Sequence, residues 1–465
     1  MKTFWLVVLA VLAPGCVLTA PTDPYAGMSR GGRPFPGGVS QPATTQPAQG
    51  PLTLREAIRL ALANNPEVAA TAYDMDAAQA QRDFAAGQRL PSLHAIGGYS
   101  HYLDSQRLIQ PAENNQPGAF SRDLFSGDLV VTMPLFTGGR ITSEIKAAEL
   151  LQKAAEHRLA RTREELVFNV SSVFYGILAQ REVIQSLDFS KKALQEHLKR
   201  VGELIAAHKA AKVDQLRTEV RVADLEQRLV GQRNVLAIQQ RVLTNLLGLM
   251  KPGQAVDASG KLELAEATVP AADQAIQKAL SDRPDYLAAR STLEAQAKAV
   301  DVARAGHSPT VALQGAYGGR WAAGTTDQPS GTDSADDVGR VGVLVDIPIF
   351  EGGRIEARVR QEKARLLAAR ERLRRLELQV QLDVETAVLN TGSAVERVKA
   401  TEAAVEQAKE SLRIEREKYD LGKGAIVDVL DAQSALLDSQ TNYYRALADY
   451  NVALAQLKLA TGAQE

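Results

Sequence analysis

Two hydrophobic periodicities alternate along this chain, and the whole alternation occurs twice. Thr53 followed by Glu56 has the form of a capping box, so a short helix is expected to start there, with a second over Pro66–Arg89. The period then drops to two. Leu93, Ala95, Gly97 and Tyr99 alternate with His94, Ile96, Gly98 and Ser100, predicting a strand at about 91–101. Leu129, Val131, Met133 and Leu135 line one face of a second strand at about 128–137. The same pair returns at about 309–321 and 339–350, where Val341, Val343, Val345, Ile347 and Ile349 share an apolar face. The segment between those strands is rich in Gly, Thr, Ser and Asp and is expected in solvent.

Each strand pair runs into Gly-Gly-Arg, at Gly138, Gly139 and Arg140 and again at Gly352, Gly353 and Arg354, a corner that releases the chain into helix. From Arg140 to Ala207 there is no proline, and from Arg354 to Leu421 again none. At 1.5 Å per residue each stretch spans roughly 100 Å, a length typical of coiled coils. Turns at about 208–213 and 421–427 send the chain back through further helices, which Gly248 and Gly462 terminate. Ala57/Ile58/Pro66 recur as Ala275/Ile276/Pro284, an offset of 218, and Asp214 recurs as Asp428, an offset of 214. One unit of roughly 200 residues is therefore duplicated, far longer than a solenoid module. The first repeat covers 52–250 and the second 273–463, with a linker over 251–272.

Composition supports long, closely packed helices: hydrophobic residues make up 45% of the chain but aromatics only 5%. With 54 basic and 55 acidic residues interspersed, no face is built for nucleic acid. Residues 1–16 read as an export signal of lipoprotein type ending at Cys16, the single cysteine. Two readings of Cys16 stand: acylation of the mature N-terminus, or loss with an ordinary signal. A Pro/Gly-rich tether follows over 17–51. No stretch after residue 16 resembles a spanning helix, so membrane contact would have to come from strands or lipid. Four strands cannot close a barrel, which needs at least about eight, and open edges are not tolerated in lipid. A homo-oligomer with a composite barrel is the physical expectation.

The run from Tyr419 through Asp428 and Asp431 to Gln433 resembles the hairpin tip of the TolC-type outer-membrane efflux proteins, and both Pro-x-Phe-x-Gly-Gly-Arg-Ile corners do so too. The resemblance covers about residues 52–463. It implies a mainly α protein with β-hairpins in the membrane: a homotrimer, four strands from each of three chains making twelve, continued by a periplasmic α-helical tunnel. The partners it implies are a periplasmic adaptor, an inner-membrane pump of RND or ABC type, and outer-membrane lipid; no cofactor is implied. Placed on this chain, Asp428 and Asp431 match acidic rings at the periplasmic gate. Tyr419 matches a tyrosine of the network that holds it, and Asp214 is the corresponding acid of the first repeat. Leu421, Gly422, Lys423 and Gly424 form the tip that meets the adaptor, and Gly424 stands where a matched family member has arginine. The linker would lie in an equatorial belt.

The residues themselves leave alternatives. An acid in the first turn of a helix is favoured by the macrodipole, so Asp428 and Asp431 also read as ordinary helix-start and solvent-facing residues. Tyr419 also reads as a packed aromatic. The six histidines are scattered without ligand spacing, and Gly138-Gly139 and Gly352-Gly353 lack the lysine of a phosphate loop, so no enzyme or metal site is expected. The rival class is a periplasmic coiled-coil lipoprotein scaffold or adaptor without a pore.

Overall fold

The computed structural model describes residues 50–109, 119–208, 211–249, 255–264, 269–323 and 335–462. The expected signal segment, Cys16 and nearly all of the tether lie outside the described residues, as do 209–210 of the first tip and 251–254 and 265–268 of the linker. The helices are α1 (Leu54–Asn64), α2 (Pro66–Gly87), α3 (Arg140–Ala206), α4 (Lys212–Leu246), α5 (Ala272–Asp282), α6 (Pro284–Ala305), α7 (Arg354–Asp420) and α8 (Ile426–Thr461). The strands are β1 (Ser92–Ile109), β2 (Ala119–Phe136), β3 (Thr310–Ala323) and β4 (Ala335–Asp346).

The duplication is plain in the helices. α3 and α7 are each 67 residues long. Each is flanked by two shorter partners laid along it: α2 and α4 against α3, α6 and α8 against α7. The repeats also interlock, because α6 and α8 both pack on α3. Thr53 caps α1 as expected, its hydroxyl accepting from the Glu56 N–H while the Glu56 carboxylate accepts from the Thr53 N–H at 2.9 Å. The corner glycines have a backbone reason: Gly138 and Gly139 lie at φ 62 and 82°, Gly352 and Gly353 at φ 59 and 76°, left-handed conformations that a Cβ penalises. At Gly138 a Cβ would also fall 2.2 Å from the Ser308 side chain.

The strands form one antiparallel sheet in the order β1-β2-β3-β4. β1 and β2 extend beyond the apolar alternation, since their pairing continues through His101 with Asp123 and Gln106 with Ser121. β4 ends at Asp346 rather than about 350: Pro348 has no N–H for a ladder, and Ile347 and Ile349 lie beyond the strand. Pro134 in β2 falls at a register shift between Pro134 and Phe136. One sheet face collects Leu93, Val131, Gly315 and Val341 in a single row, with Met133, Leu313 and Val343 in the next. Toward the loops the same face carries Tyr99, Phe125 and Trp321 side by side, ring centroids 4.8 and 5.3 Å apart. Past that row Asp123 accepts a hydrogen bond from the Tyr99 hydroxyl at 2.7 Å and lies 2.6 Å from His101 Nδ1. The opposite face holds His94, Thr132, Gln314 and Arg340 and an Arg320–Asp128 ion pair of 2.8 Å.

Between sheet and tips, the linker segment at 255–264 joins the N-terminal edge. Leu52 forms a parallel bridge with Ala258, which is fully buried, and Arg181 of α3 donates to the Ala258 carbonyl. No described helix is long and apolar enough to cross a membrane.

Candidate functional site

The two hairpin turns lie at one end of the helices. In the second, α7 ends in a Schellman arrangement: the Lys423 N–H donates to the Lys418 carbonyl at 2.8 Å and the Gly422 N–H to the Tyr419 carbonyl at 2.9 Å. Gly422 supplies the left-handed residue at φ 71°. Gly424 is required by closeness instead: a Cβ there would stand 3.1 Å from Lys418 Cβ and 3.2 Å from the Tyr419 nitrogen. Leu421 is exposed at the apex. In the first hairpin His208 occupies the left-handed position at φ 57°, the single non-glycine among described residues with positive φ.

Beneath the turns, α3, α4, α7 and α8 share one core. Val183, Leu187 and Leu194 meet Leu225 and Leu229 from one side and Val405, Leu412, Ile426, Val429 and Leu430 from the other. Polar contacts cross it. Arg416 donates to the Gln433 side chain at 2.7 Å, and Gln433 in turn donates to Ser190 at 3.1 Å.

The structure gives Asp428 and Asp431 each a local partner. The Asp428 carboxylate accepts from the Ala425 N–H at 3.3 Å, as a helix-start residue does. Asp431, one turn on, lies 3.5 Å from Arg221 of α4. Both carboxylates line a groove between α7 and α8 together with Glu415, Lys418 and Lys423. The Tyr419 ring lies 5.4 Å from that of His197 of α3, tilted at 59°. Its phenol is pushed up by burial and then by the negative charge of Asp214 and Asp420.

Sequence reasoning passed over His197 and the arginines. Burial holds the His197 imidazole below the ordinary histidine range, helped by Arg416 and Arg200 and opposed by Asp420 and Asp214. Its Nε2 is buried with no hydrogen-bond partner. Arg221 and Arg228 are seven residues apart, as are Asp431 and Asp438, and Arg228 lies 3.9 Å from Asp438. That shared heptad step is the signal that points to them, but only once α4 and α8 are known to run side by side. At the sheet end, Arg140 pairs with Glu144 at 3.1 Å and Arg354 with Glu351, so both corner arginines tie down the start of a long helix. No group of three or more metal-ligating side chains occurs among the described residues.

A family model described as "Outer membrane efflux protein" matches residues 57–249 and 275–463, the two repeats. The outer membrane protein TolC of Vibrio cholerae is 25% identical over 416 residues, covering 88% of this chain and 90% of that protein. The cobalt-zinc-cadmium resistance protein CzcC of Cupriavidus metallidurans is 25% identical over 417 residues, covering 87% and 89%. The outer membrane channel CmeC of Campylobacter jejuni superposes with a TM-score of 0.75 at 17% identity, covering 89% of this chain and 87% of that one.

Proposed function

The chain belongs to the outer membrane efflux protein family, a family of channels and not of enzymes, and on that premise we propose that it is the outer-membrane export duct of a tripartite efflux or type I secretion system. The observation that carries this is the open four-stranded sheet with an exposed apolar face, joined to helices of 67 residues. Ten residue steps separate Val311 from Trp321. At about 3.3 Å per step and a tilt of about 40°, the apolar band stands roughly 25 Å tall, the height of a membrane barrel's lipid belt. The Tyr99, Phe125 and Trp321 row then sits at the interface and Asp123 with His101 at headgroup level. The outer edges of β1 and β4 cannot stay unpaired in hydrocarbon. Three chains joined edge to edge supply twelve strands and enclose the polar face with its Arg320–Asp128 pair as a water-filled lumen.

In this reading the helices continue the lumen into the periplasm, and the tip with Tyr419, Asp428 and Asp431 forms its gate, opened by a periplasmic adaptor and an inner-membrane pump. A pore-less scaffold uses the helices but has no use for an apolar sheet face. Reconstitution in planar bilayers tests the proposal: the purified protein should run as a trimer and give discrete conductance steps. A protein that stays monomeric in detergent and conducts under no condition would sink it.

A further inference from the structure

Next to the sheet the helices of one chain lie in the order α2-α3-α6-α7, so α2 and α7 are the outer members, as β1 and β4 are of the sheet. The duplication supplies a template for what meets these edges. β1 pairs with β2 as β3 pairs with β4: Gly97 opposite Gly127 becomes Gly315 opposite Val341 under the offsets of 218 and 214. By the same offsets, the packing of α6 on α3 inside the chain corresponds to α2 packed on α7 of a second copy. One glycine registers the difference. A Cβ on Gly138, just before α3, would fall 2.2 Å from Ser308, whereas at its counterpart Gly352 it would meet nothing within 4 Å.

The two outer helices are opposite in charge. α2 carries Glu67, Asp74, Asp76 and Asp83, and its one basic residue, Arg82, is already paired with Asp83 at 3.1 Å. α7 carries nine basic residues from Arg354 to Arg375 against three acidic ones. Arg358 and Arg365 are taken by Glu362, and Arg354 by Glu351. Arg360, Lys363, Arg370, Arg372, Arg374 and Arg375 are exposed and have no ion-pair partner among the described residues. These free bases span roughly 22 Å of helix and the α2 acids roughly 24 Å. Each charged set also brackets an apolar stripe. Tyr73 and Phe84 are exposed on α2, Leu367 and Leu378 on α7, in both cases eleven residues apart, which is three turns and one face.

We propose that the acidic α2 of one chain seats on the basic stretch of α7 of a second copy, and that this charge match makes the chain select its own kind as neighbour. The proposal rests on the export-duct reading, which needs three chains, and adds how they recognise one another. The Gly138–Ser308 approach, shifted by the two offsets, brings Gly352 to the partner subunit's Leu90 and sets the level of everything below it. Leu367 then falls between the partner subunit's Tyr73 and the partner subunit's Phe84. Arg374 and Arg375 come level with the partner subunit's Glu67, Arg370 with the partner subunit's Asp74, and Arg360 with the partner subunit's Asp83. Lipid is a poorer match for the same bases. Attraction to a charged membrane surface fades within about 10 Å, and Arg370 to Arg375 lie roughly 24 Å or more below the corner at Arg354.

The test sizes the full-length, detergent-extracted protein by sedimentation across a KCl series from about 0.05 to 1 M, over which the screening length falls several-fold. The trimer fraction of the unmodified chain should fall as salt rises. Reversing α2 (Asp74→Lys, Asp76→Lys and Asp83→Lys) or α7 (Arg370→Glu, Arg372→Glu and Arg374→Glu) should each cut the low-salt trimer fraction about tenfold, since like charges then meet at every interface. Combining both reversals in one chain should restore it, because each interface is matched again. Single reversals that leave the trimer intact, or a combined variant as dissociated as the single ones, overturn the proposal. Where a reversed chain fails to insert, a photo-crosslinking benzophenone amino acid in place of Tyr73 decides. Its cross-link should fall on another copy's α7, between about Ala364 and Leu378, and a cross-link elsewhere or none at all overturns the pairing. An α7 reversal that keeps the trimer and loses only binding to vesicles of anionic phospholipid assigns the bases to lipid, and the proposal falls. A trimer that shows the expected rescue and never conducts would overturn the duct reading and leave this pairing standing.

Discussion

Glu164 on α3 carries a carboxyl group with both oxygens buried and accepting no hydrogen bond; its nearest cation, Arg161, stands 3.8 Å away. Facing it across the α5–α6 junction is Arg283, whose guanidinium pairs with Asp285 at 2.9 Å and Asp383 at 2.8 Å but leaves Nη1 without a partner. Burial pushes the Glu164 carboxyl up to about 7, with Asp285 adding to the rise and Arg161 and Arg283 opposing it. The sign follows from linkage. The folded state holds this proton more tightly than the unfolded chain, so the favourable contribution is full below the ordinary glutamate range and is lost as pH rises through about 7. Glu164→Gln removes the charge and keeps the shape. It should stabilise the protein by about 1–3 kcal/mol at pH 8 and by clearly less at pH 5. Thermal unfolding of the detergent-solubilised protein at the two pH values checks this, and a gain equal at both would show that ionisation of Glu164 costs nothing.

The two hairpin turns solve one geometric problem with different residues. Gly422 takes the left-handed position without cost, whereas His208, at the matching place in the first repeat, takes it with a Cβ. His208→Gly should therefore stabilise the first hairpin by about 1 kcal/mol, since the left-handed conformation costs an L-residue about that much. Denaturant unfolding that shows no gain would mean the imidazole makes a compensating contact. The same comparison shows which elements the sequence discloses. The 67-residue helices were legible because proline is absent and a Gly-Gly corner marks each start. Strand positions were legible in the period of two, but not their ends. β1 and β2 run on through polar residues because a ladder is made of backbone, and β4 stops short of Pro348 because that backbone lacks a donor. At the tip, Asp428, Asp431 and Tyr419 could be picked out only through the family resemblance. The arginines opposite them were hidden, because a pair such as Arg221 and Asp431 is 210 residues apart and becomes a pair only in the folded chain.

At the scale of the assembled molecule, three chains around one axis would bring three copies of the groove holding Asp428 and Asp431 to one narrow opening. The two acids do not contribute equally there. Asp431 is paired with Arg221 at 3.5 Å, while the Asp428 carboxylate accepts from the Ala425 N–H at the start of its own helix. Like charges gathered on an axis attract multivalent cations, which bridge carboxylates. The ring that binds such a cation should therefore be mainly that of Asp428. Asp428→Ala should weaken block by a multivalent cation added on the periplasmic side about tenfold or more, as expected for losing a favourable contact in each of three chains. Asp431→Ala alone leaves Arg221 uncompensated near the opening and should also weaken block, through repulsion. Removing both partners, Arg221→Ala with Asp431→Ala, should leave the blocking concentration near that of the unmodified channel. Single-channel recordings with a titrated trivalent cation distinguish these outcomes. If Asp428→Ala leaves the blocking concentration unchanged, Asp428 is a helix-start residue only.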